Sequence, residues 1–130
     1  MIAADTSTWI AFLQGESGED ALLLDRALND RQVLMAPVVL TELLSDPKLP
    51  RHVAQTLMGV PLIEVKNGYW ERAGDLRAKA LSKKRKARLG DVLIAQSCID
   101  RDVPLLTRDK DFEAFAESEE LDLVIGYKAD

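Results

Sequence analysis

Two short apolar runs near opposite ends of the chain stop in the same way. Ile2-Ala3-Ala4 leads into Asp5-Thr6-Ser7, Val103-Pro104-Leu105-Leu106 leads into Thr107-Arg108-Asp109, and a helix-type pattern follows each. A buried strand that ends in an acid and a hydroxyl and gives way to a helix is the building unit of a parallel α/β sheet. In an open sheet of that kind ligands bind beyond the carboxyl ends of the strands, so acids there face a site. Each junction also has a purely local explanation. Thr6 or Ser7 can cap the helix that follows, and Asp5 suits the positive end of its dipole. What favours a site is that further acids, Glu42 and Asp91, stand at comparable junctions elsewhere.

The intervening chain reads as alternating strands and helices. Ala21, Leu24 and Leu28 form a helical stripe with Leu23 and Ala27 beside it. Gln32 to Ala36 reads as a strand. Pro37 then opens a helix that turns Val39, Leu40, Leu43 and Leu44 inward, with Glu42 on the flank at the rim of the core. Leu49, Val53 and Leu57 predict another short helix that ends near Gly59, and Val60 to Val65 a further strand. His52, the only histidine, lacks a neighbouring ligand partner and reads as a surface residue. Tyr69, Ala73, Leu76 and Ala80 predict a helix that runs on through Lys83-Lys84-Arg85-Lys86-Ala87-Arg88. Leu89-Gly90-Asp91 opens the next, with Ile94, Ala95 and Cys98 on the same face as Asp91. A carboxylate on an apolar stripe is costly unless something compensates it, and a metal ion would. Leu121 to Ile125 reads as a final edge strand.

Composition narrows the class. A chain of 130 residues, 47% hydrophobic, can build one ordinary core, so a single domain over residues 1–130 is expected. The lone cysteine, Cys98, excludes an internal disulfide framework. No cationic segment followed by an apolar one opens the chain and no run of eighteen apolar residues occurs, so a soluble, cytoplasmic protein without membrane association is expected. The net charge of −5 argues against a generally basic nucleic-acid binder, but it hides an asymmetry. From Glu71 to Arg88 there are 8 Lys/Arg against 2 Asp/Glu, leaving 9 against 20 elsewhere. A basic patch on an acidic body points to a polyanion at one face, and Lys83, Lys84, Arg85, Lys86 and Arg88 are its candidate phosphate contacts. The same run could instead be a solvated helix end.

If the sheet is parallel, Asp5, Glu42, Asp91 and Asp109 come to one edge, with Thr6, Ser7, Thr107 and Asp111 nearby. Four carboxylates in one cleft repel, and without compensation some would hold protons at neutral pH. Hard oxygen ligands and excess negative charge suit Mg²⁺ or Mn²⁺, whereas the absence of histidine and cysteine among them argues against zinc. Such a site can drive metal-assisted hydrolysis of a phosphodiester.

Asp5-Thr6-Ser7-x-Trp9-Ile10, Thr41-Glu42-Leu43, Gly90-Asp91-x-x-Ile94-Ala95 and Leu106-Thr107-x-Asp109-x-Asp111-Phe112 resemble, in order, the successive motifs of the PIN-domain family, most closely the VapC-type toxins of bacterial toxin–antitoxin pairs. The likeness covers nearly the whole chain. It implies a three-layer α/β/α sandwich with a central, mainly parallel sheet, Mg²⁺- or Mn²⁺-dependent endoribonuclease activity, a homodimer, and a small antitoxin protein that occupies the active site and its groove. Asp5, Glu42, Asp91 and Asp109 match the family's acidic quartet, with Asp5, Asp91 and Asp109 as metal ligands, and Thr107 and Asp111 match supporting positions. One departure is Ala3-Ala4, where such strands carry bulkier β-branched residues. Two rival readings are a non-catalytic PIN-like or flavodoxin-like binding module whose acids only cap helices, and an acyl-phosphate phosphatase with Asp5 as nucleophile. The second is weak, because an Asp-x-Asp opening is needed and Ser7 stands at its third position.

Overall fold

The computed structural model describes residues 1–117 and 121–125; residues 118–120 and 126–130 of the expected 1–130 domain lie outside the described residues. The elements are β1 (Ala3–Ala4), α1 (Thr6–Leu13), α2 (Glu19–Asn29), α3 (Pro37–Leu44), α4 (Arg51–Met58), α5 (Tyr69–Ser82), α6 (Leu89–Arg101), β2 (Leu105–Thr107), a 3-10 turn (Lys110–Phe112), α7 (Glu113–Ala116) and β3 (Leu123–Ile125). The strands pair in the order β1-β2-β3, all parallel, with Ala3 opposite Leu105 and Leu106 opposite Val124. β3 thus lies at the sheet edge, as its sequence predicts.

The two strands expected over 32–36 and 60–65 are each reduced to a single bridge, Ile2 with Val33 and Met35 with Leu62, both parallel. Prolines and a neighbouring helix explain the shortening. Pro61 has no N–H to donate and Pro37 already opens α3, while the Val60 N–H is taken by the Leu57 carbonyl at the end of α4. Hydrogen bonds from Met35 N–H to the Pro61 carbonyl (2.8 Å) and from Ile63 N–H to the Met35 carbonyl (2.9 Å) still seat these segments beside the sheet. Extended by them, the order across the sheet is 62, 33–35, β1, β2, β3. The chain therefore leaves β1 in one direction and returns to its other side through β2, so a crevice opens beyond the carboxyl ends of β1 and β2.

Helices flank this sheet, α1 against α2 and α5 against α6. Trp9, Leu24, Met35, Leu57, Ile94, Leu105, Leu106, Phe112 and Phe115 are fully buried between the layers. Ala3 and Ala4 are completely buried despite their size, so the departure from β-branched residues does not expose the strand. Two polar clamps hold α6, which carries Asp91. The Arg72 fork donates to both oxygens of Asp100 (2.9 and 2.6 Å), and the Tyr69 hydroxyl donates to the Leu93 carbonyl at 2.6 Å. The buried Cys98 thiol on the same helix is pushed up to about 12 by burial, with the Asp5 charge adding to it, which leaves it an inert packing group. No described helix is long and apolar enough to cross a membrane.

Three helix ends share one closed form. After α2, α5 and α6 the residues Arg31, Lys84 and Asp102 adopt left-handed backbone (φ 55, 58 and 52°). The following N–H reaches back five residues in each, as from Arg85 to Ala80 at 3.0 Å, while the left-handed residue itself bonds three back, as from Lys84 to Leu81 at 2.9 Å. This is the Schellman closure, and it corrects the expectation that the α5 helix continues to Arg88. The helix stops at Ser82, and Arg85 to Arg88 form an irregular segment anchored by buried Ala87, whose carbonyl accepts from Arg77 Nε at 2.9 Å.

Candidate active site

Asp5 occupies the first position beyond β1, where the strand's last N–H bond, from Asp5 to the Leu106 carbonyl (3.0 Å), sets its backbone. It is itself the cap of α1, in place of Thr6 or Ser7: its extended backbone and its Oδ1, accepting from the Thr8 N–H at 3.0 Å, satisfy an otherwise orphaned donor. Ser7 Oγ lies 2.9 and 2.8 Å from the two carboxylate oxygens and shares one proton between them. The Thr107 hydroxyl donates to Oδ2 at 2.7 Å. The carboxyl is nearly inaccessible, and burial raises it above the usual carboxylate range although Thr8, Thr107 and Ser7 pull it back.

Thr107 connects two of the acids. Its oxygen also accepts from the Asp109 N–H at 3.0 Å, and Asp109 in turn caps the 3-10 turn by accepting from the Asp111 N–H at 2.9 Å. Glu42 is exposed and receives the Thr6 hydroxyl on Oε1 at 2.8 Å, so Thr6 serves Glu42 and not Asp5. The Glu42 carboxylate lies against the start of α6, where a Cβ at Gly90 would meet Oε1 in ordinary contact at 3.8 Å. Asp91, one residue on, is half-buried and is pushed up to about 6, first by burial and then by the charges of Asp109, Asp5 and Glu42, with Arg88 alone opposing. The four acids predicted from the sequence are therefore one electrostatic cluster.

A model of the PIN domain family matches residues 2–118 of this sequence. The chain belongs to the PIN domain family. Solved structures agree in fold. The chain is similar to Mycobacterium tuberculosis VapBC-5, a member of the VapBC family of toxin–antitoxin systems, at 20% identity over 95% of this chain and 97% of that one (TM-score 0.67). It is similar to Rickettsia felis VapBC2 bound to a DNA fragment from its promoter, at 19% identity over 97% and 99% (TM-score 0.71). It is also similar to a toxin–antitoxin complex from Klebsiella pneumoniae, at 23% over 95% and 96% (TM-score 0.66). No curated protein sequence matches it.

PIN domains are generally nucleases and commonly use divalent metals, and the residues of this one fit such an ion in donor type and in charge. The donors are hard carboxylate oxygens, and Asp91 is pushed up to about 6 by burial and by the charges of Asp109, Asp5 and Glu42. Among the described residues no three acidic, histidine or cysteine side chains are drawn together tightly enough to cage an ion alone.

The basic residues of this PIN domain are divided. Lys86 pairs with Asp111 (3.2 Å), and Arg85 pairs with Glu117. Arg88 caps α6 by position and lies close enough to Asp91 to favour its charged form. Lys83 and Lys84 form the turn after α5. Sequence reasoning passed over a polar feature behind the cluster, the buried Asp20 and its partners Arg108 and Thr8. The one available signal was Asp20 itself, an acid in the first turn of α2 beside the buried Ala21 and Leu24.

Proposed function

We propose that this chain is a single PIN domain over residues 1–130 that cleaves RNA phosphodiester bonds with Mg²⁺ or Mn²⁺, as the toxin of a toxin–antitoxin pair, in the cytoplasm and as a homodimer. The observation that carries the reading is Asp91, half-buried at a helix start among three like charges and one cation, a site short of positive charge. Asp5, Asp91 and Asp109 would hold the ion. When bound, it supplies a Lewis acid to a phosphate oxygen. Ser7 and Thr107 donate to Asp5 and fix its orientation, and the Asp111 N–H does the same for Asp109. Glu42, with Thr6 on Oε1, would accept a proton from the attacking water at Oε2. Lys83, Lys84, Arg85, Lys86 and Arg88 would attract the RNA backbone toward the cluster.

An antitoxin partner is supported by the toxin–antitoxin structures that share the fold. It is supported too by an apolar groove of about 470 Å³ between α1, α3 and α4, lined by Ile10, Leu13, Leu43, Leu49 and Val53 with Glu42 at its rim. One observation favours a non-catalytic module instead: Asp5 and Asp109 both act as helix caps, which alone would explain them. Incubation of the pure protein with a mixed RNA set, with Mg²⁺, Mn²⁺ or chelator, separates the readings. Metal-dependent cleavage that Asp5→Asn abolishes, with the fold retained, is the expected result. Cleavage in chelator overturns the metal role, and folded protein that cuts nothing and binds no metal is a binding module.

A further inference from the structure

Behind the acidic cluster lies a closed circuit of hydrogen bonds. Thr8, whose N–H donates to Asp5, donates its hydroxyl to Asp20 Oδ2 at 2.8 Å. Asp20 is fully buried and receives the fork of Arg108, Nε on Oδ2 and Nη2 on Oδ1, both at 2.9 Å. Arg108 Nη2 also reaches the Ser17 carbonyl at 3.5 Å. In sequence Arg108 stands between Thr107, which returns the circuit to Asp5 Oδ2, and Asp109. The circuit therefore ties together the end of β1, the start of α2 and the turn after β2, the two strand ends that carry Asp5 and Asp109.

We propose that the Asp20–Arg108 pair is a positioning device that sets the separation of Asp5 and Asp109 at the cation site. The inference rests on the metal-dependent reading above. A buried ion pair is poor evidence of a stabilising role, because an apolar pair of similar volume is often as stable or more so. What a two-bond fork does supply is orientation: a planar guanidinium on a carboxylate fixes one geometry at the head of the side chain, and that anchorage restrains how far the Arg108 backbone can turn. Rotation of that peptide would carry Asp109 away from Asp5, since Thr107 and Asp109 are its immediate neighbours. Space has been made for the pair. Gly18 precedes α2 with φ 153°, and a Cβ there would stand 2.6 Å from Asp20 Oδ1 and 2.8 Å from Arg108 Nη2.

Two variants test the proposal, each read by calorimetric Mn²⁺ binding and by thermal melting without metal. Arg108→Lys keeps the charge and loses the fork, and it is expected to bind Mn²⁺ roughly tenfold more weakly while folded. The double change Asp20→Leu with Arg108→Met replaces the pair by apolar volume, and it is expected to melt near the parent yet bind as weakly as the lysine variant. Parental Mn²⁺ affinity in either folded variant overturns the positioning role and leaves the pair a packing feature. Asp109→Asn is the control. If it too binds Mn²⁺ like the parent, the metal-site reading fails and this inference with it; if it loses binding while Arg108→Lys does not, only the positioning role fails.

Discussion

The Thr107 hydroxyl donates to Asp5 Oδ2 at 2.7 Å across 102 positions of sequence, and the same oxygen accepts the Asp109 N–H at 3.0 Å. One fully buried hydroxyl thus joins the ends of the first and second strands of the sheet and orders two carboxylates of like charge. It can do so because β1 and β2 are adjacent and parallel, so their carboxyl ends emerge side by side.

Thr107→Val keeps the shape and the β-branch but leaves Asp5 Oδ2 short of a donor and the Asp109 N–H without its acceptor. Loss of a buried partner of this kind costs about 1–3 kcal/mol, so denaturant melts should show a fall in midpoint with unchanged slope. Thr107→Ser retains the hydroxyl and should keep RNA cleavage that the valine variant loses. Equal cleavage by both would remove Thr107 from the site.

Stability of the metal-free protein should rise on mild acidification. Asp91 is raised to about 6 in the fold from an ordinary 3.8, so the folded state binds its proton more tightly than the unfolded chain does. Protonation therefore favours folding, and the benefit grows as pH falls through 6 toward 3.8 and is absent well above 6. Between pH 7.5 and 5 the gain is about 1 kcal/mol at most, once solvent screening of this half-exposed carboxyl is allowed for. Asp91→Asn should weaken this dependence to the part that the raised Asp5 carboxyl contributes, and added Mn²⁺ should stabilise more at pH 7.5 than at pH 5. A parent that loses stability between pH 7.5 and 5 contradicts the cluster.

Gly18→Ala and Gly74→Ala should move in opposite directions. At Gly18 the φ of 153° and the contacts with Asp20 and Arg108 make alanine strained, a cost of about 1–3 kcal/mol. Gly74 is exposed within α5 with open space around it, and alanine there should stabilise by about 0.5–1 kcal/mol through helix propensity. Thermal melts of the two purified variants check both signs.

Lys84 separates backbone from charge. Its left-handed conformation costs a side-chain-bearing residue roughly 1 kcal/mol, so Lys84→Gly should stabilise the fold by about that amount. Lys84→Gln should not stabilise it. If Lys84 meets an RNA phosphate as proposed, both changes should flatten the slope of log RNA affinity against log salt by roughly 0.7, without sequence preference. An unchanged slope returns Lys84 to a plain helix terminus.

Much of this was legible in the chain itself. Alternating apolar runs and 3.6-residue stripes are local records of burial, and they located α2, α3, α4 and α6 and the ends of β1 and β2. Proline and glycine marked the openings of α3 and the close of α4. Asp5 and Asp109 were legible because a parallel sheet sends the carboxyl ends of its strands to one edge; Glu42, inside α3, and Asp91, at the start of α6 with no strand before it, reach that edge through the packing of their helices instead. The left-handed stop at Lys84 was not legible, because a run of lysines carries no glycine signal and the closure depends on buried Ala87 holding the next segment.

The sequence by itself thus determined the class of fold, the place of Asp5, Glu42, Asp91 and Asp109, and their excess of negative charge. Only the tertiary structure decided which donors serve which acid: Thr6 goes to Glu42, Thr107 to Asp5, and Arg108 turns away from the acids beside it to the buried Asp20. The reason is physical. Periodicity reports whether a side chain faces the core, a property of its own helix or strand. Pairing across 88 or 102 positions depends on strand order and on the direction in which the chain crosses the sheet, and many partners satisfy the same local pattern.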